Sequence, residues 1–160
     1  MNRFALLTLG IIGAGCSSGN PVAPDPIATS ANAIESAHVL VGGVPVEGTV
    51  MRGEHGGTLF QVRLRDHDAQ SLANVRQVML QYDVPAGGMM PNRRGDALCY
   101  DDGTHGDDLA GDGVYHRVDD DGGMGCGRIG SPAGTYTYTF QCTLMSGASC
   151  GEMMLNVVKR

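Results

Sequence analysis

GTYTYTFQC, residues 134–142, is the stretch on which the fold turns. Tyr136, Tyr138, Phe140 and Cys142 fall on one side of an extended chain, and Thr135, Thr137, Thr139 and Gln141 fall on the other. A period of two belongs to a half-buried antiparallel strand, because successive side chains leave a strand on opposite faces. The same alternation sets Phe60, Val62 and Leu64 against Gln61, Arg63 and Arg65. It also sets Val78, Leu80, Tyr82 and Val84 against Gln77, Met79, Gln81 and Asp83. Weaker versions occupy His38–Val41, Val44–Arg52, Gly113–Val118 and Glu152–Lys159, with glycine-rich punctuation between them. Beyond the N-terminal apolar stretch no segment carries a helical stripe, although Asp68–Asn74 suits a single helical turn. About seven short strands at this spacing predict an all-β fold, an antiparallel β-sandwich.

Upstream of these strands the chain opens MNRFALLTLGIIGAGC. Arg3 gives a positive start, and Phe4 to Ile12 form an apolar core of signal-peptide length. Gly13, Ala14 and Gly15 then lead to Cys16. Small side chains before a cysteine mark a bacterial lipoprotein signal, in which that cysteine is lipidated and becomes the first residue. Gly13 stands where leucine is usual. The apolar run falls short of the roughly 20 residues that a membrane-spanning helix needs. Ser17 and Ser18 follow, without the aspartate that signals inner-membrane retention, so a Gram-negative host implies an outer-membrane address. Residues 19–36 hold three prolines among Ala, Ser and Asn and read as a flexible tether. The organisation is therefore a signal peptide over residues 1–15, a lipidated Cys16 with its linker to residue 36, and a β-sandwich domain over 37–160. Such a domain is long enough to bury one core.

Charge is concentrated in one segment. Between Asp96 and Asp121 nine aspartates face one arginine, Arg117, whereas the rest of the mature chain is close to neutral. A block of this sign excludes a nucleic-acid partner, which requires a basic face, and attracts cations. Within it, DDGTHGDDLAGDGVY (residues 101–115) holds five aspartates and four glycines. Calcium takes six to eight oxygens, largely from carboxylates and backbone carbonyls, and glycines let a short backbone turn its carbonyls inward. Asp101, Asp102, Asp107, Asp108 and Asp112, interleaved with Gly103, Gly106, Gly111 and Gly113, meet both needs. The EF-hand spacing is absent. The rival reading is a solvated turn whose aspartates cap backbone amides. Asp119, Asp120 and Asp121 read as solvated charges, with completion of a metal site from the next loop as the alternative, and His105 and His116 read as solvent-facing rather than as ligands of a transition metal. The nine methionines lack the clustering that copper traffic requires.

With Cys16 lipidated, four cysteines remain, an even number that suits disulfides in an exported domain. Proximity favours Cys142–Cys150 across a hairpin and Cys99–Cys126 around the acidic segment. Zinc is disfavoured because no CxxC pair occurs.

Tyr100 to Tyr115 resembles the "DDG…GD…AGDGVY" signature of Ig-like or fibronectin-III-like extracellular domains of bacterial surface proteins, including those called choice-of-anchor X. Similar loops occur in calcium-activated chloride-channel regulators. Gly134–Cys142 also looks like the "GTYTYTV" strand near the end of such domains. The resemblance implies a sandwich with an adhesive or architectural role and carries over no catalytic residue. Asp102, Asp107 and Asp112 match its recurrent acidic positions. Asp119–Asp121 and the four cysteines lie outside the signature.

The expected function is that of a cell-envelope lipoprotein whose calcium-stabilised sandwich serves as a binding, adhesion or structural module. Its partners would be the membrane, through the lipid, and another envelope protein or a surface polymer. The alternatives are a subunit of an envelope assembly with a metal-free acidic loop, or a carboxylate-dependent hydrolase. GxSxG and HExxH are absent, and aspartates crowded on a glycine loop are nearly all ionised, which disfavours catalysis.

Overall fold

The computed structural model describes residues 32–46, 48–50, 57–65, 72–87, 91–120 and 122–160. Cys16, the signal and most of the tether lie outside these residues, as does most of the helical turn expected over Asp68–Asn74. Among the described residues there are nine strands: β1 (Ile34–Val41), β2 (Val44–Pro45), β3 (Thr49–Val50), β4 (Thr58–Leu64), β5 (Val75–Val84), β6 (Arg93–Cys99), β7 (Val114–Val118), β8 (Gly134–Leu144) and β9 (Ser149–Lys159). They form two sheets, ordered β2-β1-β4-β7 and β3-β9-β8-β5-β6. All pairings are antiparallel except that of the short β3, which runs parallel to β9. In immunoglobulin lettering, β1-β4-β7 are A-B-E and β9-β8-β5-β6 are G-F-C-C′, the arrangement of a fibronectin-III-like sandwich.

The alternation read from the sequence places the core. Tyr136, Tyr138 and Phe140 from β8 and Phe60 and Val62 from β4 are each fully buried, and the Phe60 and Tyr138 rings meet across the sheets at 4.9 Å. A buried phenol must find a partner for its hydroxyl. Tyr136 donates to the carbonyl of Pro132 at 2.7 Å, four residues upstream at the start of the F-type strand, which is the tyrosine corner of these sandwiches. Tyr138 donates to the carbonyl of Met124 at 2.9 Å.

Three features depart from the expectation. The folded region reaches back past residue 37: β1 starts at Ile34, and the Asn32 amide donates to the carbonyl of Glu152 at 2.6 Å. The strand expected over Val44–Arg52 divides, so that β2 extends the β1 hairpin while β3 crosses to the edge of β9. Finally, β6 carries no alternation that marks it. It is an edge strand held by register against β5, with Gly95 opposite Tyr82, whose ring leaves no room for a β-carbon.

The Cys142–Cys150 disulfide is present and clips the β8–β9 hairpin. Its short loop corresponds to about 2.6 kcal/mol in the chain-entropy account. The Cys99–Cys126 bond is not formed, and both residues are buried thiols. Cys99 ends β6 opposite Val78, in the row that continues to Cys142. Cys126 lies against the hydroxyl of Tyr138. Burial pushes the Cys99 thiol up to about 12.

Candidate metal-binding loop

The acidic loop joins β6 to β7 at the end of the sandwich where the chain enters at Asn32. Its root is fixed by the backbone of Tyr100, which exchanges two hydrogen bonds with His116 at 2.8 and 2.7 Å and so ties the edges of the two sheets together. From there the loop folds back over the outer face of β4 and β7. At Gly106, where φ is 89°, a β-carbon would come within 2.7 Å of Leu59 and 3.0 Å of Val118, so only glycine allows this approach.

Each aspartate first organises backbone. Gly111 and Gly113 take positive φ on either side of Asp112, which turns three successive amides toward Asp101. Asp101 accepts from Gly111 at 2.6 Å, Asp112 at 3.1 Å and Gly113 at 3.0 Å. Asp107 accepts from Gly103 at 2.8 Å, and its side chain is only 1% exposed. Asp112 accepts from Val114 at 2.9 Å. These turns carry Asp101, Asp107 and Asp112 inward together, and one oxygen from each lies within 4.8 Å of the others. Three convergent carboxylates can hold a metal ion.

Of the five aspartates named from the sequence, Asp101, Asp107 and Asp112 converge, and Asp102 and Asp108 do not join them. Asp102 points away into solvent and accepts from the backbone and hydroxyl of Thr104. The Thr104 hydroxyl's hydrogen bond holds the Asp102 carboxyl below its ordinary range. Asp101 is instead aimed at the returning strand of the loop, where it accepts from Gly111, Asp112 and Gly113. Asp108 is exposed and outside the group.

Two residues expected in solvent are buried. His116, which alternates outward with Val114 and Val118 along β7, is covered by the acidic loop itself. Its Nε2 lies 2.9 Å from Gln61 Nε2, and its Nδ1 lies 3.3 Å from Asp107 Oδ1 without hydrogen-bond geometry. His105, by contrast, remains partly exposed and stacks on Tyr100 at 3.9 Å. Asp119 belongs to the next loop and is also buried. It accepts from the amides of Met124 at 3.1 Å and Gly125 at 2.7 Å. No signal along the chain distinguishes it from exposed Asp120, because its burial comes from Thr58 and the loop that closes over it. Burial, with the Asp101 charge adding, pushes the Tyr115 hydroxyl up to about 12.

The class that fold and loop define is a fibronectin-III-like sandwich with an aspartate-rich candidate metal site. No protein family and no curated protein matches the sequence. A solved structure titled "Structure of the N-terminal domain of PorA" overlaps 78% of this chain and 98% of its own at 12% identity, with a TM-score of 0.24, too low to bear on function.

Proposed function

We propose that this chain is a cell-envelope lipoprotein, anchored through Cys16, whose sandwich is stabilised by calcium in the acidic loop and serves as a non-catalytic binding or structural module. The observation that carries the reading is the convergence of Asp101, Asp107 and Asp112 within 4.8 Å. An all-oxygen set of this kind suits a hard cation, which would draw its remaining ligands from backbone oxygens or water to reach six or more. Asp101, Asp107 and Asp112 would hold the ion. Its chemistry is electrostatic: it would cancel the shared negative charge and fix the loop against β4 and β7.

A second reading is favoured by Asp101, whose carboxylate already takes three amides. In that reading the aspartates fold the loop alone and the chain is a metal-free structural subunit. Thermal unfolding of the full chain separates the two. Calcium at millimolar concentration should raise the melting temperature by several degrees over chelator, whereas coincident curves leave the metal-free subunit. The anchor is tested independently: Cys16→Ser should move the protein from the membrane to the soluble fraction.

A further inference from the structure

Among the described residues the two sheets end on four edge strands, β2, β7, β3 and β6. An open edge presents unpaired backbone donors and acceptors and so invites another strand. Three of the four are blunted. β2 and β3 are two residues long. On β7 the amide of Val114 is taken by the Asp112 carboxylate, and both backbone groups of His116 are taken by Tyr100. β6 is different: it runs for seven residues with no proline and no register shift against β5.

The register of β6 fixes which groups it leaves open. Tyr100 directs its N–H and C=O away from β5, toward His116. That direction alternates along a strand, so Asp96 and Arg94 send theirs the same way. The bridge to β7 is isolated at Tyr100 and does not extend to them. Their side chains share the outer face of the sheet, and both residues are exposed. Asp83 holds Arg94 Nε at 2.8 Å, which orients a guanidinium whose side chain is 76% exposed. Asp96 makes no ion pair among the described residues.

We propose that β6 pairs antiparallel with β6 of a second copy of this chain about a two-fold axis at Gly95, joining two five-stranded sheets into one. Such an axis sets Arg94 opposite the partner's Asp96 and, by symmetry, Asp96 opposite the partner's Arg94. Both are hydrogen-bonded pairs, each exchanging two backbone bonds. Opposite charges directly across a strand pair are favourable, and the edge is therefore complementary to itself. Arg93, the remaining charge of β6, falls opposite the partner's Ala97, so no like charges meet. At the axis the two Gly95 residues form the non-hydrogen-bonded pair, whose α-carbons approach to about 4.5 Å.

Sedimentation velocity of the full chain carrying Cys16→Ser, without calcium, tests the pairing. The expected result is a monomer–dimer equilibrium in the micromolar to millimolar range. Arg94→Asp and Asp96→Arg each place like charges opposite one another at both positions and should weaken the dimer by roughly tenfold or more. An equal mixture of the two variants should recover it, because each then meets opposite charges. The double variant, with Arg94→Asp and Asp96→Arg together, keeps the original net charge and should dimerise by itself. Asp96→Pro removes an outward amide but no bond to β5. It should abolish the dimer and leave the far-ultraviolet circular dichroism unchanged. A monomer at every concentration, a dimer indifferent to the single swaps, or a loss restored by neither the mixture nor the double variant overturns the proposal. None of these outcomes touches the calcium reading of the acidic loop.

Discussion

The loops on either side of β7 are made of the same materials, aspartate and glycine, and use them differently. After β7, Asp119 is buried against backbone amides. Its two oxygens take the amides of Met124 and Gly125, the Met124 carbonyl accepts from Tyr138, and the Arg128 carbonyl accepts from Lys159 at 2.8 Å. One charge surrounded by donors closes that end of the core. Before β7, three carboxylates share a space of 4.8 Å. Amide donors satisfy their oxygens one at a time but do not cancel the potential they create together. Two like charges at that distance repel by about 3 kcal/mol at an effective dielectric constant near 20. An aspartate whose oxygens are taken up by amides serves as a structural clamp, and one that converges with other carboxylates is a candidate ion ligand; composition alone does not separate the cases.

The strongest way to break this comparison is Asp119→Ala, which strands two buried amides. Denaturant unfolding should show a loss of about 3 kcal/mol, taking roughly 1–3 kcal/mol for each unsatisfied group. The loss should be the same with calcium and with chelator. A loss that depends on calcium would merge the two loops into one system.

Next comes calcium itself. A site with a Kd of about 10⁻⁵ M contributes about 2.7 kcal/mol at roughly 100-fold excess over Kd. Asp107→Asn should abolish most of that increment in calorimetry, while magnesium, which demands a tighter octahedron, should supply little of it. Retention of the full increment in Asp107→Asn would remove Asp107 from the site.

Alkaline pH reports on the root of the acidic loop rather than its tip. Burial holds the Cys99 thiol near 12 against an ordinary value of 9.0. A raised folded pKa stabilises fully below pH 9 and is lost as pH rises toward 12. By pH 10 the loss is about 1.4 kcal/mol. Cys99→Ala should flatten this limb of the stability profile between pH 8 and 10, and an unchanged slope would assign it to the buried tyrosines instead.

The smallest effect belongs to Asp102. Its carboxyl lies below the ordinary range, so whatever it contributes is present at neutral pH and disappears only as pH falls below about 3.8. Asp102→Asn should leave the calcium-dependent shift in melting temperature unaltered. Loss of that shift would return Asp102 to the ligand set in place of Asp101.

The sequence by itself determined the strands that carry the core. Tyr136, Tyr138, Phe140, Phe60, Val62, Val78 and Leu80 are buried as their period of two requires, because a pleated backbone sends alternate side chains to opposite faces. It also located the acidic loop and the Cys142–Cys150 clip, both matters of composition or short spacing. Tertiary structure decided the rest. Edge strand β6 exists because β5 offers it a register, not because its own residues alternate. Asp101 joins the convergent group and Asp102 does not because positive-φ glycines ten and twelve residues further on turn amides toward Asp101. His116 is buried because the loop preceding it folds back over an outward strand face, and Asp119 because the following loop closes on it. In each case the deciding contact lies outside the local period of the chain, in the packing of a loop against a sheet.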